Sequence, residues 1–298
     1  MERYYKKLFL LYIFLMMMIL KGFAQEDDLM KILETEGDEK NQVNFATATF
    51  KGTRLIQGHS VETLRGNAFQ LLISHRFGRI NGGAYEFFGL DQSNVRIGLE
   101  YGLSDRLNVG IGRNSYEKTY DGFLKYKILR QSSGAANRPV SMVLFSSVAL
   151  NTLKNEDIDP EREIPFSSRL AYTGQLLIAR KFSPGFSLQI MPTIVHRNEV
   201  TESEGYNDLY ALGFGGRKKI TKSLALNVEY YYRINAPENP ELHNSFSIGF
   251  DIETGGHVFQ LHFTNSISMV EKGFIGETTG DWANGDIHFG FNISRTFN

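Results

Sequence analysis

Three small groups of residues carry side chains that could do chemistry. Gln260 and His262 lie on one stretch, and Asp286 and His288 on another. Two imidazoles with a carboxylate nearby could hold a metal ion or relay a proton. His243 and Ser245 share one strand parity, the pairing in which an oriented histidine activates a serine nucleophile. Asp157, Asp159, Glu161 and Glu163 offer oxygen ligands for calcium. Each group has a plainer reading that weighs more. The histidines suit polar filling of an enclosed interior. His243 and Ser245 fall opposite Phe246, so they point away from the lipid that a membrane hydrolase would attack. The acidic run lacks the glycine and spacing of a calcium loop and reads as solvated. Gly213-Phe214-Gly215-Gly216 is not a phosphate loop; such glycines give room to packed side chains on inward strand positions. Asn292-Ile293-Ser294 matches a glycosylation sequon but lies within a strand pattern. No catalytic residue, metal or cofactor is therefore assigned.

The elements that hold these residues are strands. Ile287, Phe289, Phe291, Ile293 and Phe297 fall on one parity, and Asp286, His288, Gly290, Asn292, Ser294 and Thr296 on the other. Successive side chains of a strand face opposite sides, so the stretch has one apolar and one polar face. The same alternation recurs at 69–74, 94–101, 107–112, 224–233, 245–253 and 259–264. Stretches near 139–151 and 170–180 alternate less cleanly, which leaves their register open. Short connections at 103–105, 183–185, 220–222 and Gly255-Gly256 interleave with long polar ones at 78–91, 152–165, 198–206, 235–242 and 267–284. Short turns on one side and long loops on the other are the pattern of an outer-membrane barrel. The expectation is an all-β fold: an antiparallel transmembrane barrel of about 12 strands, or 14 if residues 43–57 join the wall.

Composition agrees. The chain has 298 residues, 13% aromatics with 23 Phe and 14 Tyr, and 29 Gly against 7 Pro. Its net charge of -1 supplies no basic footprint for nucleic acid. It has no Cys, which removes disulfides, thiolate ligands, a cysteine nucleophile and a lipoprotein anchor. Arg3, Lys6 and Lys7 precede an apolar run from Leu8 to Leu20 and the small residues of Gly22-Phe23-Ala24, the layout of a cleaved signal peptide over 1–24. The acidic stretch 25–42 reads as a flexible periplasmic lead-in. Residues 43–66 read as a plug, a clasp or a first strand, and 67–298 as the barrel.

The inward parity carries charges of both signs: Arg76, Arg96, Glu100, Lys125, Lys127, Arg169, Glu229, Arg233, Asp251, Glu253, Asp286 and His288, with His262 among them. Mixed charge suits pairing across a bore better than a ring of one sign. About twelve strands enclose a bore that side chains and a short plug can largely occlude. The expected role is a narrow or plugged pore or transport barrel and not an enzyme. The alternatives are a structural or partner-binding barrel acting through its long loops and, behind it, a hydrolase.

The segments KGTRLIQGHSVETL (51–64), SHRFGRINGGAYEFFGLDQ (74–92), SYEKTYDGFLKYKILRQSSG (115–134), SIGFDIETGGHVFQLHFTNS (247–266) and ETTGDWANGDIHFGFNISR (277–295) resemble the domain-of-unknown-function 5777 β-barrel family. That resemblance implies a barrel in the outer membrane of a Gram-negative bacterium of the Bacteroidota. It brings no substrate, cofactor or catalytic residue. Outer-membrane lipid and the barrel-assembly machinery are the partners such an address implies.

Overall fold

The computed structural model describes residues 42–200, 206–236, 239, 241–254 and 257–297. The expected signal peptide, residues 25–41 of the lead-in and the Gly255-Gly256 turn lie outside them. Two units are distinguished. β1 (Val43–Phe45), of which Val43 and Asn44 belong to the smaller, and β6 (Ser132–Gly134) pair as a two-stranded sheet. Residues 43–45 therefore do not extend the barrel wall.

The larger unit is a closed antiparallel barrel of twelve described strands. In chain order these are β2 (Phe69–Arg79), β3 (Ser93–Gly102), β4 (Leu107–Asn114), β5 (Tyr120–Leu129), β7 (Ser141–Leu150), β8 (Leu170–Ser183) and β9 (Phe186–Arg197). β10 (Asp208–Lys219), β11 (Leu224–Arg233), β12 (Phe246–Thr254), β13 (His257–Thr264) and β14 (His288–Phe297) follow. Each strand pairs with its neighbours, and β14 closes on β2 through Phe291↔His75 and Phe297↔Phe69. Closure leaves no edge, so the backbone can cross hydrocarbon with its ladder hydrogen bonds made. Outward positions present an apolar band that includes Leu99, Ile111, Leu144, Ile190, Phe214, Phe250 and Leu261, all exposed. No described helix is long and apolar enough to cross a membrane; the strands make the crossing.

The two stretches with blurred alternation have a definite reason for it. On β7, Val143 and Phe145 point inward while Leu144 and Val148 point outward; on β8, Leu177 and Ala179 point inward. Both faces are apolar there because that side of the bore holds a hydrophobic core. Phe50, Leu55 and Val61 join Val143, Phe145, Leu177, Met191, Val195, Tyr231, Phe274 and Ile275 in it. A strand buried against packing on one face and lipid on the other loses its period-2 signal.

Two chain segments fill the bore. The first, 49–64, turns back on itself at 55–58: Leu55 N–H donates to Gly58 O at 2.9 Å and Ser60 N–H to Thr53 O at 3.0 Å. The second is the connection between β13 and β14, which the spacing assigns to a long polar loop over 267–284. Instead, Ser268, Met269, Val270 and the whole short helix α2 (Glu271–Gly276) are buried; the preceding helix, α1 (Asn155–Ile158), lies between β7 and β8. Phe274 and Ile275 drive this, since each enters the core cluster.

Candidate functional site

The centre of the bore is built around the 55–58 turn. Leu55-Ile56-Gln57-Gly58 leaves several backbone N–H groups with no partner in the turn itself, and a buried N–H must find an acceptor. Glu229 on β11 supplies it: its carboxylate accepts from Ile56 N–H at 3.1 Å, Gln57 N–H at 3.3 Å and Gly58 N–H at 3.0 Å. The neighbouring wall strands β13 and β14 bind the turn's carbonyls. Gln260 Nε2 donates to Leu55 O at 2.7 Å and Asn292 Nδ2 to Ile56 O at 2.8 Å. The Gln57 side chain donates to Ser247 Oγ at 2.9 Å and Thr264 Oγ1 at 3.0 Å. Further along, Gln189 on β9 accepts from Val61 N–H at 2.9 Å and donates to His59 O at 2.8 Å. Lys125 Nζ on β5 donates to Glu62 O at 2.6 Å. Seven polar wall residues that look like channel lining are thus bonded to one internal segment.

Glycine gives the turn its space. A Cβ on Gly58 would lie 2.1 Å from the Tyr231 hydroxyl, and one on Gly215 would lie 2.4 Å from Leu55 Cδ1. Of the two inward glycines of β10, Gly215 makes room for Leu55, and Gly213 for the Tyr231 ring and Met191.

The two filling segments meet. Arg54 Nη1 lies 3.0 Å from Glu271 Oε1 on α2 and also donates to Gln57 O at 2.8 Å. His59 is fully buried between the rings of Phe123 and Phe145, at 4.5 and 4.3 Å between centroids, with Nε2 3.6 Å from the same Glu271 oxygen. Burial pushes the His59 imidazole well below its usual value, and the nearby charges of Arg54, Lys125 and Arg96 act the same way. Burial pushes the Glu271 carboxyl up against the pull of Arg54. On α2, Lys272 lies between Glu117 at 2.9 Å and Glu277 at 3.1 Å. Burial would lower its ammonium, but the two carboxylates outweigh that and hold it above the usual lysine range.

The charged residues expected to line the bore divide into four groups. Arg76, Arg96, Glu100, Lys125, Glu229, Asp251, His262 and His288 are buried on the inward face. Several are paired: Arg96 grips Asp121 through two bonds, one of 2.9 Å, and Glu100 accepts from Asn108 at 2.8 Å. Lys127 and Glu253 are half-buried toward the short-turn end, where Glu253 pairs with Lys51 and Arg217, each at 2.8 Å. Arg233 sits at the long-loop end and donates to Leu242 O at 2.6 Å. The other two depart from the expectation. Arg169 ends a 3-10 turn (Ser167–Arg169) before β8 and bonds Leu153 O and Asn155, so it is not a wall residue. Asp286 precedes β14, which starts at His288, and pairs with Arg79 at 3.0 Å among the connections. In both cases the alternating pattern runs on past the end of the strand.

The chemistry-bearing groups resolve similarly. His262 and His288 are diagonal neighbours, since His262 opposes Gly290 and Thr264 opposes His288. His288 Nδ1 contacts Phe77 O at 2.8 Å, and no group of three metal-ligating side chains occurs among the described residues. Ser245 Oγ faces the bore and accepts from Gln57 Nε2 at 3.2 Å. The His243–Ser245 pair thus has no lipid-facing serine. What reading along the strands missed was Arg54, His59 and Glu271. The available signal was the apolar content of their own segments, Leu55-Ile56 and Phe274-Ile275.

A closed wall with an apolar outer band and a filled, polar interior defines the class: a transmembrane β-barrel of the outer membrane. The family model described as "Membrane bound beta barrel domain (DUF5777)" matches residues 50–297, and the chain belongs to that family. Its match begins at Phe50, so it takes in the inner segment with the wall. Among solved structures, the chain is similar to the NanC porin (6% identity, TM-score 0.48, covering 77% of this chain and 99% of that one). It is also similar to the KdgM porin (7% identity, TM-score 0.44, 78% and 98%). A third is an outer membrane channel from Pseudomonas putida F1 (11% identity, TM-score 0.44, 83% and 100%). A search of curated proteins finds no match.

Proposed function

We propose that this barrel is a narrow pore for small solutes whose resting state is closed by residues 49–64 from the periplasmic side and by the α2 connection from the other. The observation that carries the reading is the way 49–64 is held. Its turn is anchored by hydrogen bonds to Glu229, Gln260, Asn292, Ser247 and Thr264. Those same wall groups would face water or solute once the turn withdrew. A core meant only to be solid has no need of so many polar wall groups, because apolar packing is at least as stable. The charges Arg76, Arg96, Glu100, Lys125, Asp251, His262 and His288 would then line the opened path.

A structural barrel that never opens is the competing reading, and the apolar half of the interior favours it. Conductance separates the two. Purified protein in planar bilayers is expected to give rare, small openings. Glu229→Ala, which removes the acceptor for three backbone N–H groups, is expected to open more often. If neither protein conducts at any voltage while both remain folded, the pore reading fails.

A further inference from the structure

The lipid-facing wall has one site that is not simply greasy. Around much of the long-loop side, outward positions carry packed rings: Phe77 stacks on Phe289 at 5.7 Å, Phe263 meets Phe289 at 5.5 Å, and Tyr230 meets Phe246 at 6.4 Å. Between β3 and β7 the pattern breaks. One outward row reads Leu99, Ile111, Gly122, Val148 across β3, β4, β5 and β7. Gly122 has no side chain to fill its place, and a Cβ there would meet nothing nearer than Val148 Cγ1 at 3.8 Å. The next row toward the 115–119 connection reads Ile97, Arg113, Tyr120, Leu150, Leu170. Together they line a groove of about 560 Å³.

Arg113 stands at the head of this groove. It is exposed, lies 5.5 Å over the Tyr120 ring, and has no carboxylate partner among the described residues. An unpaired cation beside hydrocarbon is costly unless it reaches the interface and finds an anion there. Stacking on Tyr120 holds the guanidinium in place and leaves its donor fork for a ligand. A planar fork of that kind suits a phosphate.

We propose that this groove binds one lipid of the leaflet on the long-loop side, with an acyl chain over Gly122 and a headgroup phosphate on Arg113. The occupant must be anionic at one end and apolar along the other, which a lipid in that leaflet is and a soluble solute is not. The site stands apart from the bore, so it holds whether or not the barrel conducts.

The test uses delipidated protein in uncharged detergent, with lipid retention measured by native mass spectrometry. The added probes are bisphosphorylated lipid A, phosphatidylglycerol and an uncharged diacylglycerol. Wild type is expected to retain a phosphate-bearing lipid in preference to diacylglycerol. Arg113→Gln removes a charge-assisted contact and is expected to weaken retention about tenfold. Gly122→Leu fills the groove and is expected to weaken it to a similar degree. Both positions face away from the packed interior, so both variants are expected to fold, which an unheated gel-mobility assay checks. Retention equal for diacylglycerol and the phosphate lipids overturns the proposal, as does Arg113→Gln binding like wild type. A change in oligomeric mass on Gly122→Leu would make the groove a contact between copies and overturn it as well.

Discussion

Arg54 and Glu271 are both buried and 3.0 Å apart, and each belongs to a segment that is not part of the wall. Removing one leaves the other without its counter-ion in a low-dielectric interior, at a cost of about 3–5 kcal/mol. Removing both leaves no orphan charge. Arg54→Gln and Glu271→Gln are therefore each expected to lower the urea midpoint more than the double variant does. A double variant less stable than either single would refute the pairing. His59 adds a pH dependence whose sign follows from its burial. Its imidazole lies well below the usual 6.5 when docked between Phe123 and Phe145. The docked state thus binds fewer protons than a freed His59, and docking weakens as pH falls through about 6.5. Glu271 acts in the opposite sense: its raised value makes docking gain as pH falls toward the usual 4.5. Glu271→Gln removes that opposing contribution. Single-channel open probability of that variant is expected to rise from pH 7 to pH 5, and adding His59→Phe should flatten the profile. A profile unchanged by the histidine substitution would remove His59 from gating.

Among the elements, the inner segment depends on glycine more than on any one side chain. Gly58 approaches the Tyr231 hydroxyl so closely that a methyl group cannot be added without displacing the turn or the ring. Tyr231 is itself fully buried, with its hydroxyl 3.4 Å from Met191 Sδ, so the turn is what yields. Gly58→Ala is expected to expose Arg54 to trypsin while the wall stays folded. Cleavage after Arg54 should be absent in wild type and appear within minutes in the variant. Equal resistance in both would mean the core gives way instead. The connection carrying α2 offers its own reporter, because Trp282 is the single tryptophan and its indole N–H donates to Phe246 O at 3.0 Å. Its emission is expected to shift to the red if the connection lifts out.

For the molecule as a whole, each of the twelve described wall strands pairs on both sides without help from 49–64. Deleting 49–60 is therefore expected to leave a barrel that still migrates anomalously on unheated gels and keeps its β circular dichroism. The same deletion is expected to convert rare openings into a steady conductance. Loss of the β signal would make the segment a folding core and not a closure. The lipid-facing surface should be indifferent to this deletion, since Arg113 and Gly122 share no contact with the bore.

What could be read from the residues alone was whatever repeats along a strand. Alternation at 94–101, 224–233 and 286–297, sorted connection lengths and the absence of cysteine pointed to an outer-membrane barrel of about twelve strands, with fourteen left open until the pairing of 43–45 with 132–134 excluded that segment from the wall. They did so because each strand's two faces meet different media, and that difference is written every second residue. Inward placement of Arg76, Arg96 and Glu229 followed from the same parity. Tertiary structure alone decided what fills the bore. Nothing local marks Glu229 as the acceptor for a turn over 170 positions earlier in the chain, or Glu271 as the partner of Arg54. Nor does local pattern separate a solvated loop from one that tucks inward: Phe274 and Ile275 are buried because the closed wall offers them an apolar surface at β8, β9 and β11. Arg169 and Asp286 make the same point in reverse. Each continues a strand's parity but lies beyond the strand's end, and only the pairing of neighbouring strands determines where that end falls.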